Sequence, residues 1–552
     1  MRPHALVRPH RGIVLLLALA LAVLLPQALP ARGATTDSAP QPLAVTTSGV
    51  VAGQTTDGAQ EFLGIPYAAP PTGDRRFRAP RPAARWDGVR QATHQAPACL
   101  QFSPYGLRDP RNVSEDCLYL DVYRPAAALP GARLPVIFWM HGGGFTQGTG
   151  TQFGGRTMAD LTGTIVVSVN YRLGQLGYLA LRQFGQEGTS GSGTWGLQDQ
   201  IAALTWTRRN AAAFGGDPGN ITIAGQSAGA ASVCALLTSP STTGLFSRAI
   251  LQSGPCTLLT APDQQSAQAD GQAYAADAGC PQGPGTLDCL RNAPASALLA
   301  AAQAHPVTGP ATGTPVLPRQ PSEAIAAGDW HKVPILIGSN AAEARFFVAL
   351  TQPYLTPDQY TAQITATYGS AAPDVLAHYP LTHYASPYLA WSALLTDSTF
   401  ACQTYRAANV LRGQVPTYVY EFDDPNSPTL AGAQVPGLDE SNAHSAELAY
   451  LFDFTMADRP LTPAQLVLAD QMKRSWAAFA LTGDPAAVGR TAWPPLTGDT
   501  YLVQSLRPDG ATRTITTFAA DHQCAFWASA AARSGSGARS RLPQPATDVS
   551  YP

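Results

Sequence analysis

Lysine is nearly missing from this 552-residue chain, occurring only at positions 332 and 473, so almost every cation is an arginine. Charged residues make up only 13% of the sequence, and 35 basic residues against 37 acidic ones leave a net charge of −2. That balance gives no electrostatic case for binding nucleic acid. Neither a C-x-x-C pair nor an H-E-x-x-H helix occurs, so a metal site is unsupported. No internal repeat is visible. The longest apolar run, residues 13–25, falls short of the roughly 20 residues that span a bilayer, and no later segment approaches that length.

What is present begins with an address. Arg2, Arg8 and Arg11 precede the apolar run, and Ala31-Arg32-Gly33 offers small residues for cleavage before Ala34. This pattern predicts a secretory signal over residues 1–33 and no stable membrane anchor. The stretch 534–552, rich in Ser, Gly, Arg and Pro, reads as a disordered tail. Residues 34–533 remain. Length alone would allow three domains, but no interior linker separates them. One large α/β domain with long insertions fits better.

Eight cysteines suit an oxidising destination such as the extracellular medium. Spacing alone does not give their connectivity. Cys99 and Cys117, and Cys280 and Cys289, each bracket a short polar loop with Pro or Gly, as a loop staple would. Asn112-Val113-Ser114 and Asn220-Ile221-Thr222 are glycosylation sequons, the second discounted because it falls on an apolar strand.

Residues 48–67 suggest a β-meander. Apolar, β-rich runs follow at 118–123, 136–140, 164–170, 221–224, 249–252, 333–337 and 417–422, separated by helical stretches. Leu197, Ile201 and Leu204 share one helical face and read as core. Continuous apolar strands alternating with helices indicate a large, mostly parallel sheet covered on both faces. The Ala- and Gln-rich stretch 257–325 is expected to form helices and loops near the rim.

Gly225-Gln226-Ser227-Ala228-Gly229 is the strongest chemical signal. Alone, G-x-S-x-G is a weak motif. Here the strand Asn220-Ile221-Thr222-Ile223-Ala224 precedes it and an Ala-rich helix follows. A serine at such a turn is the nucleophile elbow of α/β-hydrolases, with glycines two residues either side because strand and helix pack closely. An acyl-transfer serine needs backbone N–H donors for the developing oxyanion. The strand 134–140 runs straight into His141-Gly142-Gly143-Gly144-Phe145, a glycine loop of the right kind. The donors are assigned to the amides of Gly143, Gly144 and Ala228.

In this fold the order is serine, acid, histidine, and the partners sit in loops after strand C-termini. Glu343 is the first acid beyond the strand 333–337, and Asp397 is the next to test. Of His378, His383, His444 and His522, His444 follows the strand 417–422 and leads into an apolar segment; His378 and His383 read as surface or rim residues.

The run from Phe214 through Gly229, with Asp217-Pro218-Gly219-Asn220 at its centre, resembles the nucleophile signature of type-B carboxylesterases, the family of cholinesterases and bile-salt lipases. Ser114-Glu115-Asp116-Cys117-Leu118-Tyr119-Leu120-Asp121-Val122 resembles its second signature. Asn170-Tyr171-Arg172-Leu173-Gly174 and Trp195-Gly196-Leu197-Gln198-Asp199-Gln200 are similar to further blocks. The likeness runs from about Ser48 to Trp527. It implies Ser227 as nucleophile, Glu343 as acid and His444 as base. It also implies disulfides Cys99–Cys117, Cys280–Cys289 and Cys402–Cys524, leaving Cys234 and Cys256 as expected free, buried thiols. Three departures stand out. Ala344 replaces the glycine usual after the acid, Gln226 stands where cholinesterases carry Glu, and the loop between Cys99 and Cys117 has no Trp to hold choline. A cation site needs an aromatic face and often a carboxylate, so choline esters are poor candidates.

The expectation is therefore a secreted serine carboxylesterase acting on a small-molecule ester without a cofactor. A catalytically silent binding or adhesion ectodomain and an interface-activated lipase are the alternatives. Phe145, Phe346 and Phe347 are candidates to line the pocket or to pack in the core. Arg345 is expected to be salt-bridged rather than to meet an anionic substrate. Oligomeric state is not legible.

Overall fold

The computed structural model describes residues 41–533 apart from 103–111, 130, 188–190, 258–260, 281, 431–434 and 487–491. The expected signal over 1–33 and the tail over 534–552 lie outside the described residues.

Eleven strands form the central sheet. In chain order they are β1 (Gln54–Thr56), β2 (Ala59–Pro66), β3 (Tyr119–Pro125), β4 (Leu134–Met140), β5 (Ile165–Val169), β6 (Gly216–Gln226), β7 (Arg248–Gln252), β8 (Ile335–Asn340), β9 (Thr417–Phe422), β10 (Val503–Leu506) and β11 (Arg513–Ile515). Their spatial order is β11-β10-β9-β8-β7-β6-β4-β5-β3-β2-β1. The stretch from β10 to β5 is parallel throughout, and the two edges are antiparallel. This is the mostly parallel α/β sheet that the apolar runs implied.

Alternation along each strand explains why those runs are continuous. Val136, Phe138 and Met140 of β4 enter one core cluster, while Ile137 and Trp139 enter another. Ala249 and Leu251 of β7 divide from Ile250 in the same way, as do Ile335 and Ile337 of β8 from Leu336. Helices α1 (Trp195–Asn210) and α2 (Ala228–Thr238) supply the first cluster, which holds Leu197 and Leu204 as expected. A later helix, Pro463–Thr482, supplies Leu468, Met472 and Trp476 to the second. With both sheet faces covered, a polar side chain on a central strand is costly to bury without a partner. The 257–325 stretch forms short helices over Gln264–Asp277, Thr286–Asn292, Ala295–Ala302 and Pro321–Ala326.

Disulfides join Cys99 to Cys117, Cys280 to Cys289 and Cys402 to Cys524. The fourth corrects the expectation of free thiols. Cys234 and Cys256 are bonded to each other, with Cα atoms 5.3 Å apart. Cys234 lies in the middle of α2, and Cys256 follows β7. The packing of that helix on that strand brings the two within bridging reach, and no free cysteine remains among the described residues.

Candidate active site

β6 ends at Gln226 and α2 starts at Ala228, which leaves Ser227 alone to reverse the chain. Its φ of 57° and ψ of −122° are sparsely populated for a residue with a Cβ, a conformation that costs about 1–3 kcal/mol and persists only when its surroundings enforce it. They do so here. Ser227 N–H donates to Gln252 O on β7 at 2.8 Å. A Cβ on Gly229 would stand 2.1 Å from Met140 O, and one on Gly225 would stand 2.4 Å from the Gly229 carbonyl carbon. The two glycines of the motif are therefore demanded by the approach of α2 to β4 and β6.

The glycine loop leaves β4 beside this turn. Gly143, Gly144 and Phe145 have φ values of 103°, 62° and 62°. Tyr171 Oη donates to His141 O at 2.7 Å, and its ring stacks on the His141 imidazole. Burial drives the His141 pKa down to about 4, so the ring is neutral and its Nδ1–H donates to Gly142 O at 2.8 Å. The amides of Gly143, Gly144 and Ala228 donate to no protein acceptor among the described residues. Phe145 is taken up in the core, edge-on to Tyr178.

β8 runs into the turn that carries Glu343, at the head of α3 (Ala344–Thr351). The carboxylate is fully buried. Oε1 accepts from Asn340 N–H at 2.8 Å, and Oε2 lies 2.6 Å from His444 Nδ1. Residues 442–444 are laced to the same turn, since Ala342 N–H donates to Asn442 O and His444 N–H to Glu343 O. Asn442 and Ser445 on either side have positive φ. Phe347, Phe400 and Phe346 surround the His444 ring at centroid distances of 5.0, 5.3 and 6.3 Å.

Sequence reasoning overlooked a second carboxylate behind the first. Glu447 accepts from Asn340 Nδ2 at 2.8 Å and from Gln252 Nε2 at 3.1 Å, and Gln252 Oε1 accepts from Trp476 Nε1. Burial, with the Glu343 charge adding to it, pushes the Glu447 carboxyl up to about 7. Its position three residues past His444 was the available signal.

Glu343 and His444 thus meet directly, whereas Ser227 and His444 share no hydrogen bond among the described residues. His444 Nε2 instead lies 3.1 Å from the side-chain amide of Gln226, the residue before the serine. Asp397, the alternative acid, belongs elsewhere. It binds His522 Nδ1 at 2.6 Å and accepts from Tyr379 Oη. Arg345 pairs with Asp439 at 2.8 Å. His378 and His383 are exposed. Among the described residues, no group of three or more His, Cys, Asp or Glu side chains is spaced to hold a metal ion, and no helix is long and apolar enough to cross a membrane.

Comparison with known proteins places this arrangement among relatives. The carboxylesterase family matches residues 40–527. The chain is 32% identical over 540 residues to the human cocaine esterase, covering 91% of this chain and 94% of that one. It is 34% identical over 494 residues to the fumonisin B1 esterase of Sphingopyxis macrogoltabida, covering 85% and 86%. The crystal structure of a Geobacillus stearothermophilus carboxylesterase superposes with a TM-score of 0.74 at 34% identity, covering 88% of this chain and 99% of that one.

Proposed function

The chain belongs to the carboxylesterase family and is a carboxylic ester hydrolase; from that premise we propose that it works through an acyl-enzyme on Ser227, with His444 as base and Glu343 as the acid that orients it. One arrangement carries this: a buried carboxylate 2.6 Å from Nδ1 of a histidine that abuts a strained serine turn.

With Nδ1–H held by Glu343, the neutral ring presents its lone pair at Nε2. His444 takes the Ser227 proton as Oγ bonds to the ester carbonyl carbon, and Glu343 offsets the charge gained by the imidazole. The amides of Gly143, Gly144 and Ala228 receive the oxyanion. Each such donor is worth roughly 3 kcal/mol of the barrier. The tetrahedral intermediate collapses, and the alcohol leaves with the proton from Nε2. Water then attacks the acyl–Ser227 carbonyl as His444 takes its proton; the second intermediate collapses, the C–Oγ bond breaks, the carboxylic acid leaves and Nε2 returns the proton to Oγ.

Substrates are proposed to be small-molecule carboxylic esters whose carbonyl reaches Ser227 beside the His444 ring, around which Phe346 and Phe347 pack. Three relatives bear the names cocaine esterase, para-nitrobenzyl esterase and fumonisin B1 esterase. The neutral Gln226 and the absence of Trp between Cys99 and Cys117 disfavour choline esters. We further propose one α/β-hydrolase domain over residues 34–533 and secretion, in keeping with four disulfides.

Hydrolysis of p-nitrophenyl butyrate by the purified mature chain, beside Ser227→Ala, tests the mechanism. Turnover by the first and its loss in the second is the expected result. Equal rates in both would refute Ser227 as nucleophile.

A further inference from the structure

The group that meets Nε2 of His444 is neither the serine nor an acid. Gln226, the last residue of β6, is buried, and its amide nitrogen lies 3.1 Å from Nε2. The same side chain packs over the glycine loop, where a Cβ on Gly142 would stand 2.8 Å from Gln226 Oε1. It is therefore held between the loop and the imidazole.

The other ring nitrogen settles who donates. Nδ1 faces the Glu343 carboxylate, which accepts, so Nδ1 carries the hydrogen. The neutral ring then has only a lone pair at Nε2, and the Gln226 N–H is the donor. A donor aimed at that lone pair stabilises the uncharged base and opposes its protonation. The surrounding groups pull the other way. Glu343 stands at the head of α3, and Glu447 follows on the segment of His444 itself. Tyr420 on β9 senses both carboxylates. Arg345, next along α3, is turned to Asp439 and Ser441. Phe346, Phe347 and Phe400 pack around the ring.

We propose that Gln226 is a positioning residue that donates to Nε2 of the neutral His444 ring in the resting enzyme and yields Nε2 to Ser227 Oγ when ester binds. The inference rests on His444 being the base, as proposed above. The amide N–H serves the neutral ring. A carboxylate at this position serves only the imidazolium, and an alkyl group serves neither.

The test is the pH dependence of kcat/KM for p-nitrophenyl acetate between pH 5 and 9, in the wild type, Gln226→Leu, Gln226→Glu and Ser227→Ala. One lost hydrogen bond moves the acidic limb of Gln226→Leu upward by ~0.5–1 pH unit, a roughly 3- to 10-fold loss at pH 5.5 relative to plateau. Gln226→Glu, nearly isosteric and thus a safeguard if the leucine variant folds poorly, moves it up by ~1 unit or more. A leucine limb that coincides with the wild type, whatever its plateau, overturns the inference, because a side chain that merely fills space changes rate without moving the limb. So does a glutamate limb that stays or moves down. Activity surviving in Ser227→Ala defeats the acyl-enzyme mechanism instead, and is read separately.

Discussion

Glu343 and His444 are joined twice, by carboxylate Oε2 to Nδ1 at 2.6 Å and by the Glu343 carbonyl accepting the His444 backbone N–H at 3.1 Å. The backbone bond fixes where the ring starts, and the side-chain bond fixes its tautomer. Glu343→Gln keeps the first and weakens the second, since an amide can present N–H to Nδ1 and leave the proton on Nε2. A kcat loss of about 10³-fold or more is expected, with KM within a few-fold of the wild type. Steady-state kinetics on p-nitrophenyl butyrate would measure it. A loss under tenfold would remove Glu343 from the mechanism.

The turn that exposes Ser227 depends on α2 lying against β4. A methyl group on Gly229 would collide with Met140 O, which is backbone and has nowhere to go. Gly229→Ala is expected to cost about 1–3 kcal/mol and to lower kcat as the turn shifts. Thermal melts of the variant beside Gly219→Ala, whose glycine meets only the Asp217 side chain, separate this clash from a general glycine effect.

The Cys234–Cys256 bond closes a segment of 22 residues spanning the helix and strand behind the serine. Its removal by Cys234→Ala with Cys256→Ala is expected to cost about 3 kcal/mol through loop closure. Thiol titration of the unreduced, denatured chain should find no free cysteine, where the sequence alone led us to expect two.

His522 sits between Asp397 at 2.6 Å and Glu421 at 2.7 Å. Burial opposes charge there, but the hydrogen bonds and charges of the two carboxylates outweigh it and hold the imidazole up to about 10. The folded state therefore binds a proton that the unfolded chain releases near pH 6.5. The stabilisation is complete below that pH and fades as pH rises toward about 10. The melting temperature of the wild type should fall more steeply between pH 7 and 10 than that of His522→Gln. Parallel curves would exclude the charged bridge.

The central strands were legible because burial on both faces leaves a continuous apolar run, as at Val333-Pro334-Ile335-Leu336-Ile337. The edge strand β11 and its neighbour β10 were not, since Arg513-Thr514-Ile515 and Val503-Gln504-Ser505-Leu506 are short and mixed in character. Ser227, Glu343 and His444 could be picked out because each follows a strand end and falls in a block resembling the family. The groups that reach them were hidden by distance along the chain. Gln226 meets a histidine 218 residues away, and Gln252 meets a carboxylate 195 residues away. Cys234 and Cys256 were expected to be free thiols because their pairing depends on how a helix seats on a strand, which spacing does not encode.

The most direct measurement is the covalent intermediate itself. The purified chain is mixed with excess p-nitrophenyl ester, quenched in acid within the first turnover and digested for mass spectrometry. One acyl group per chain on the peptide containing Ser227, absent from Ser227→Ala, is the expected outcome. An acyl group on another residue, or turnover with a p-nitrophenol burst but no adduct at Ser227, would contradict the mechanism.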